Sequence, residues 1–424
     1  MRRAVVVILD GLRRDLIRPD LTPNLVALSK RATQFTGYRS AFPSATRVVS
    51  ATFATGCRPA RHELQGNALA LIEDGKLVVH DAGHPEFLQH KREVTGCSLA
   101  VPTMAERLSE AGGFISFSNV SPGAAFAHDP DGFGWVYHRA GSYGPGRERL
   151  PEADWLKGET SVAGDAAMAD RFIAEVLQER RPALAQIWFG EPDQTQHNAP
   201  LGSPRHLDVL RGSDQTAGRL IEAVEALRAV GDDILLIVGA DHGHQTISGM
   251  IDVEAELVAA GIKEGAGSGD IVAVSSGTSS LIYVHPDRID LIPALGEFLA
   301  SAPWAGEVIS ADDFERVGQA AHQGLAYAVS MQADEEPNEY GVPGRSLIAK
   351  PASGKAKDIG CGQHGGLARY EQAPFLMISG EGFGEGQEVG DEVSVIDIAP
   401  TILAHLGVEA EGMDGQVLQG MAAA

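Results

Sequence analysis

"AVVVILDGL", residues 4–12, places six apolar residues in unbroken succession, four of them β-branched, and then turns abruptly polar at Asp10-Gly11. A strand with one wet face alternates apolar and polar residues. A run with no alternation must be covered on both faces, as in a parallel sheet sandwiched by helices. Two further runs read the same way, "ALAQIWFG" (183–190) and "DILLIVGAD" (233–241). Between them lie amphipathic helical patterns with start signals: Thr22-Pro23 before "NLVALSKRA", Thr103 before "MAERLSEAG", Ser161 before "VAGDAAMADRFIAEVLQER", and Ser203-Pro204 before a long pattern ending near Gly231. This alternation predicts an α/β fold, a doubly wound, mostly parallel sheet with helices on both faces.

Two regions depart from it. "ALALIEDGKLVVHD" (68–81) reads as a hairpin turning at Asp74-Gly75, and residues 277–309 read strand, helix, strand before a polar, Gly- and Pro-containing stretch to about residue 360. The expected organisation is a catalytic core of residues 1–270 and 361–424, with a small α+β subdomain inserted at 271–360.

The chain has 424 residues, 44% of them hydrophobic, enough for a large core. Its formal net charge of −23 repels nucleic acid polymers and anionic membrane surfaces. A small anionic substrate would need local positive charge, for which bound cations are the natural source on an acidic protein. Cys57, Cys97 and Cys361 form no CxxC unit and read as free thiols of a reducing compartment. The apolar run at the N-terminus is too short for a secretory signal or a membrane span, so the expected location is cytoplasmic.

Polar residues gather where the strands should end, the edge at which open α/β sheets bind ligands. Asp10 closes the first run and Asp241-His242 another; Asp193 and His197 follow the third in "GEPDQTQH", and His364 lies in "GCGQHGGL". Carboxylate and imidazole together suit Zn²⁺ or Mn²⁺. Each residue alone has a plainer reading: Asp193 and His197 as a helix-face pair, Asp10 as a turn former, the histidines as loop residues. In "FPSATRVVSATFATG" (42–56), a helix is expected to begin near Thr46 and stop at Gly56. Thr46 is then either an N-cap or a hydroxyl set among backbone amides suited to an anion.

The ordered set "ILDGLRRD", "TPNLVAL", "FPSAT", "RPARHELQGN", "GEPDQTQH", "ADHGH", "GQHGG" and "SVIDIAPTILAHLG" resembles the nucleotide pyrophosphatase/phosphodiesterase branch of the alkaline phosphatase superfamily, of which phosphonoacetate hydrolases are close relatives. The resemblance spans nearly the whole chain. It implies hydrolysis of phosphoester or phosphoanhydride bonds in a small phosphorus-containing substrate by two divalent metal ions, usually zinc. Asp193, His197 and His364 match the ligands of one metal, and Asp10, Asp241 and His242 those of the other. Thr46 matches the nucleophile, bound to the second metal and phosphorylated in the reaction, and Asn67 the residue that helps hold a phosphoryl oxygen.

The sequence departs from that pattern at Arg47, where nucleotide-cleaving relatives carry an aromatic residue. A guanidinium grips carboxylate or phosphate oxygens, which brings in a phosphonoacetate hydrolase or a phosphomonoesterase as alternatives; a solvated arginine on the first helical turn is the plainer reading. A metal-dependent phosphomutase would share the same ligands. His244 stands where many relatives carry methionine, and reads either as a support of the metal ligands or as a surface residue. Residues 119–139 are expected either to line the substrate pocket or to form a self-packed loop.

Overall fold

The computed structural model describes residues 2–351 and 358–421. The run that opens the chain forms the strand Arg2–Leu9 in the middle of a ten-stranded sheet. It pairs in parallel with Leu184–Phe189 on one side and Asp233–Gly239 on the other, and Phe114–Ser118 continues the parallel set beyond Leu184–Phe189. An antiparallel strand, Leu376–Ser379, flanks Asp233–Gly239.

Successive residues of the first strand point to opposite faces, and both faces are packed. Val5, Val7 and Leu9 share a core with the helices Pro23–Ser29, Val162–Arg171 and Pro204–Ala229. Ala4, Val6 and Ile8 share another with the helices Thr46–Thr55 and Ile398–Leu406. Fully burying each such valine or isoleucine contributes about 1.5–3 kcal/mol, which is why the run contains no polar residue.

The helix starts at Ser161 and Ser203 are capped as expected, each serine hydroxyl accepting an amide of the first turn. The pattern after Thr103 instead yields a helix of one turn, Met104–Arg107; the chain then reverses at Gly112 and Gly113, both with positive φ, and enters the strand Phe114–Ser118. The hairpin is formed by Ala68–Glu73 and Lys76–Asp81, with Asp74 and Gly75 in the left-handed region.

A second, antiparallel sheet runs Ile271–Ser275, Ser279–Val284, Leu325–Met331 and Ala305–Ser310, backed by the helix Ile292–Ser301. Leu325–Met331 lies inside the stretch expected to be polar loop. Its apolar residues are buried between two neighbours, a short run overlooked among the glycines and prolines around it. Pro343–Ala349 pairs with Gln245–Ile251, which in turn pairs with Gly362–Gln363, so one small sheet joins the 271–360 segment to the chain on both sides of it. The part of the expected polar stretch at 352–357 lies outside the described residues. Among the described residues no helix is long and apolar enough to cross a membrane.

Candidate active site

Ile8 is in register with both Trp188 and Gly239, so the residues two positions further on, Asp10, Gly190 and Asp241, leave the sheet at one edge. The short helix Asp193–Gln196 is tied to that edge by the Asp193 amide donating to Asp10 O (3.1 Å) and by Gln196 Nε2 donating to Gly11 O (3.1 Å). Gly11 has φ +69°, and a Cβ on it would lie 2.8 Å from His244 Nε2 and 3.2 Å from Asp193 Cβ. No other residue lets the strands and the helix meet this closely.

Two groups of ligand-type atoms result. Asp10, Asp241 and His242 are buried together, with donor atoms within 4.8 Å of one another. Trp188 Nε1 donates to Asp10 Oδ2 (3.1 Å) and the Gly11 amide to Asp241 Oδ1 (3.0 Å). The other oxygens, Asp10 Oδ1 and Asp241 Oδ2, accept no hydrogen bond and face His242 Nε2 at 3.4 and 3.1 Å. Beside them, Asp193, His197, His244 and His364 form a second group. The rings of His242 and His364 stack with centroids 3.6 Å apart, so the two groups are contiguous.

The histidines are oriented by backbone carbonyls. His242 Nδ1 lies 3.1 Å from Gly243 O, His197 Nδ1 3.1 Å from Gly362 O, and His364 Nδ1 2.7 Å from Ser44 O. A carbonyl accepts only, so the proton sits on Nδ1 and each Nε2 presents a lone pair inward. His364 Nε2 and His197 Nε2 then face each other at 3.3 Å, with Asp193 Oδ1 3.3 Å from the latter. Such a set of lone pairs and carboxylates fits cations. His244 Nε2 is 2.8 Å from Asp193 Oδ1 while its Nδ1 has no acceptor, so it donates to Asp193 and holds it.

Burial, reinforced by Asp241 and Asp193, pushes Asp10 well above the usual carboxylate range, and burial brings Asp241 up to about 7. Burial would also raise Asp193, but His197, His244 and His364 hold it well below its ordinary value. Burial alone would lower His364, yet Asp193 and the Ser44 carbonyl hold it above.

Residues 4–298 match the family model described as type I phosphodiesterase / nucleotide pyrophosphatase. The chain belongs to this family. Solved structures of ectonucleotide pyrophosphatase / phosphodiesterase 5 share the fold. The murine protein, as an inactive threonine-to-alanine variant in complex with AMP, has a TM-score of 0.69 at 17% identity, with 98% of each chain covered. The human protein has a TM-score of 0.68 at 17% identity, over 98% of this chain and 97% of that one. A segment of 64 residues is 38% identical to human ectonucleotide pyrophosphatase/phosphodiesterase family member 7. That match spans 15% of this chain and 14% of the human protein.

In this family member, Thr46 is the first residue of its helix; the cap is Ala45, and no side chain caps it. The N-cap reading of Thr46 is thereby overturned. Its Oγ1 lies 3.1 Å from His242 Nε2. The preceding Ser44 donates to Gly366 O (3.0 Å) and accepts from the Gly365 amide (3.0 Å), which fixes the Thr46 loop to the His364 loop. Buried Glu371 accepts from the amides of Gly366 (2.8 Å) and Ala368 (3.1 Å) and from Thr278 Oγ1, clamping the second sheet to the same loop.

Thr46, Arg47, Asn67, Asp10, Asp193, His197 and His364 border one cavity of about 300 Å³. Asp241 and His242 lie beneath it in contact with Asp10. Asn67 Oδ1 is buried without a hydrogen bond. The solvated reading of Arg47 fails: its side chain is 21% exposed, and it donates to Asn67 O (2.5 Å) and Ser121 Oγ (3.3 Å) and pairs with Asp81 (2.9 Å).

Arg139 was not singled out from the sequence. It borders the same cavity and donates through Nη1 to Asn119 O (2.9 Å) and Oδ1 (2.7 Å). Asn119 is held in turn by Asp165, which burial raises to about 7. Within the 119–139 segment, residues 119–122 and Arg139 border the cavity; between them the helix Pro122–Phe126 continues, followed by a turn bound by the Asp129 carboxylate and the strand Trp135–Tyr137.

Proposed function

We propose that this phosphodiesterase family member hydrolyses phosphoester or phosphoanhydride bonds with two divalent cations, zinc or manganese, through a covalent phosphothreonine at Thr46. The observation that carries the reading is the trio His197, His242 and His364, each with Nδ1 anchored on a carbonyl and Nε2 directed at a carboxylate, beside the Thr46 hydroxyl. Asp193, His197 and His364 would hold one cation; Asp10, Asp241 and His242 the other. Bound there, the cations would supply the Lewis acidity that makes a threonine hydroxyl nucleophilic near neutral pH and offsets phosphoryl charge. The threonine-to-alanine change in the inactive murine structure accords with a threonine of this kind.

The chain's own groups do the rest. Thr46 Oγ1 attacks phosphorus as the leaving-group oxygen departs; water then cleaves the Thr46–phosphoryl bond and restores the hydroxyl. Thr46 opens a helix, so the unpaired amides of its first turn face the phosphoryl oxygens. Asn67 donates to one of those oxygens through its amide nitrogen.

Arg47 and Arg139 both border the one cavity. They favour substrates with a further anionic group, such as a phosphomonoester, over a simple nucleotide diester; phosphonoacetate is the alternative they admit, and there the P–C bond would break with carbon as the leaving atom. We place the enzyme in the cytoplasm, with residues 271–360 as a subdomain over the substrate side.

The test is kcat/KM measured side by side on a nucleotide diester, a phosphomonoester and phosphonoacetate, with zinc- and manganese-loaded protein. No turnover of any of the three would refute the reading. Conversion of a sugar phosphate to its isomer without free phosphate would make the protein a phosphomutase.

A further inference from the structure

Away from the sheet edge, a second kind of ligand cluster is assembled from elements the mechanism does not use. Glu73 ends the first strand of the hairpin, His80 lies on the second, and His90 comes from the separate helix Phe87–Thr95. Both imidazoles direct Nε2 at the same carboxylate atom, Glu73 Oε1, at 2.5 Å for His80 and 3.0 Å for His90, and the rings lie 4.7 Å apart. The three side chains are 22–37% exposed and reach solvent. His80 and His90 open onto a cavity of about 410 Å³. The ligand atoms lie within 4.8 Å of one another.

We propose that Glu73, His80 and His90 form a third divalent transition-metal site, separate from the two catalytic clusters, that staples the hairpin 68–81 to the helix 87–95. Two imidazole nitrogens and one carboxylate oxygen are a ligand set for Zn²⁺ that leaves a fourth position open to water. Donors about 2 Å from such an ion sit roughly 3 Å from one another, close to the spacing already present. Without a cation, each Nε2 must carry a proton to bond the shared oxygen. Binding puts one ion where those protons lie, with each neutral ring taking its Nδ1–H tautomer so that Nε2 offers a lone pair. The strand that carries His80 ends at Asp81, whose carboxylate pairs with Arg47 in the catalytic cavity. The clamp therefore lies next to the residue that pairs with Arg47.

The probe is Zn²⁺ alone, titrated into chelator-stripped full-length protein against a chromophoric chelator, with thermal midpoints recorded alongside. The wild type should bind one equivalent more than His80→Gln/His90→Gln, and that variant should keep diester turnover within about twofold. In an Asp193→Asn/Asp241→Asn background, which impairs the catalytic clusters, Zn²⁺ should still raise the midpoint, and adding His80→Gln/His90→Gln should abolish the rise. Glu73→Gln keeps an oxygen for both imidazoles to donate to but is a poor ligand; it should weaken the extra equivalent more than tenfold with the stripped protein's midpoint unchanged. Equal stoichiometry and affinity in the wild type, Glu73→Gln and the double-histidine variant would overturn the proposal. Loss of turnover with the extra equivalent retained would count against the catalytic reading alone.

Discussion

Replacing Arg47 by alanine separates two jobs that the geometry gives to one side chain. Its ion pair with Asp81 contributes little, because the Asp81 side chain is 71% exposed and such pairs are worth about 1 kcal/mol or less. Its 2.5 Å hydrogen bond to Asn67 O is internal and holds the residue assigned to a phosphoryl oxygen. Losing a bond of that kind costs about 1 kcal/mol, or roughly fivefold in kcat/KM on every substrate. A charge-assisted contact to an additional anionic group on the substrate is worth about 1.5–3 kcal/mol, a further ten- to hundredfold. Arg47→Ala should therefore slow a nucleotide diester about fivefold, and phosphonoacetate or a phosphomonoester about fifty- to five-hundredfold. The assay is steady-state kcat/KM on the three substrates with metal-saturated protein. Equal losses on all three would confine Arg47 to holding Asn67, and unchanged kinetics on all three would refute both roles.

Trp188→Phe removes the indole N–H that donates to Asp10 Oδ2 and should weaken cation affinity about ten- to hundredfold, measured by chelator competition. Arg139→Ala should reduce kcat/KM about tenfold or more on phosphonoacetate and the phosphomonoester while sparing the diester, in the same three-substrate assay. Stability should respond to pH in opposite directions with and without metal. Asp241, raised by burial to about 7 from an ordinary value of 3.8, stabilises the metal-free fold fully below about pH 4 and loses that contribution as pH rises through 7. Stripped protein should thus unfold at lower urea at pH 8 than at pH 5, loaded protein should show the reverse because cations bind the ionised carboxylates, and Asp241→Asn should flatten the stripped profile.

The parallel core was legible because burial on both faces leaves an unmistakable mark: a strand such as Ala4–Leu9 tolerates no polar residue, and its polar terminus marks the ligand edge. The convergence of Asp10, Asp193 and Asp241 followed from the same logic, since each comes just after one of three adjacent strands. Leu325–Met331 was lost because a seven-residue strand between loops carries no period long enough to separate it from its surroundings. Arg139 and Trp188 were invisible for a different reason. Arg139 reaches the cavity through a lateral strand and the Asn119 contact, and Trp188 is one aromatic residue inside an apolar run whose N–H finds Asp10 across the sheet. The cap at Ala45 was likewise unreadable, because Ser44 and Thr46 both suit that position and their long-range partners, Gly365 and His242, settle which does what.

In the proposed reaction a phosphoryl group passes through Thr46. Acid-quenching metal-loaded protein during turnover of a slowly hydrolysed diester, then mapping modified peptides by mass spectrometry, tests it directly. The adduct expected on Thr46 is the diester's phosphoryl group still carrying its retained ester substituent, and it should be absent from Thr46→Ala protein that retains its cations and has lost turnover. A label on any other residue, or Thr46→Ala protein that still hydrolyses the diester at near the wild-type rate, would contradict it.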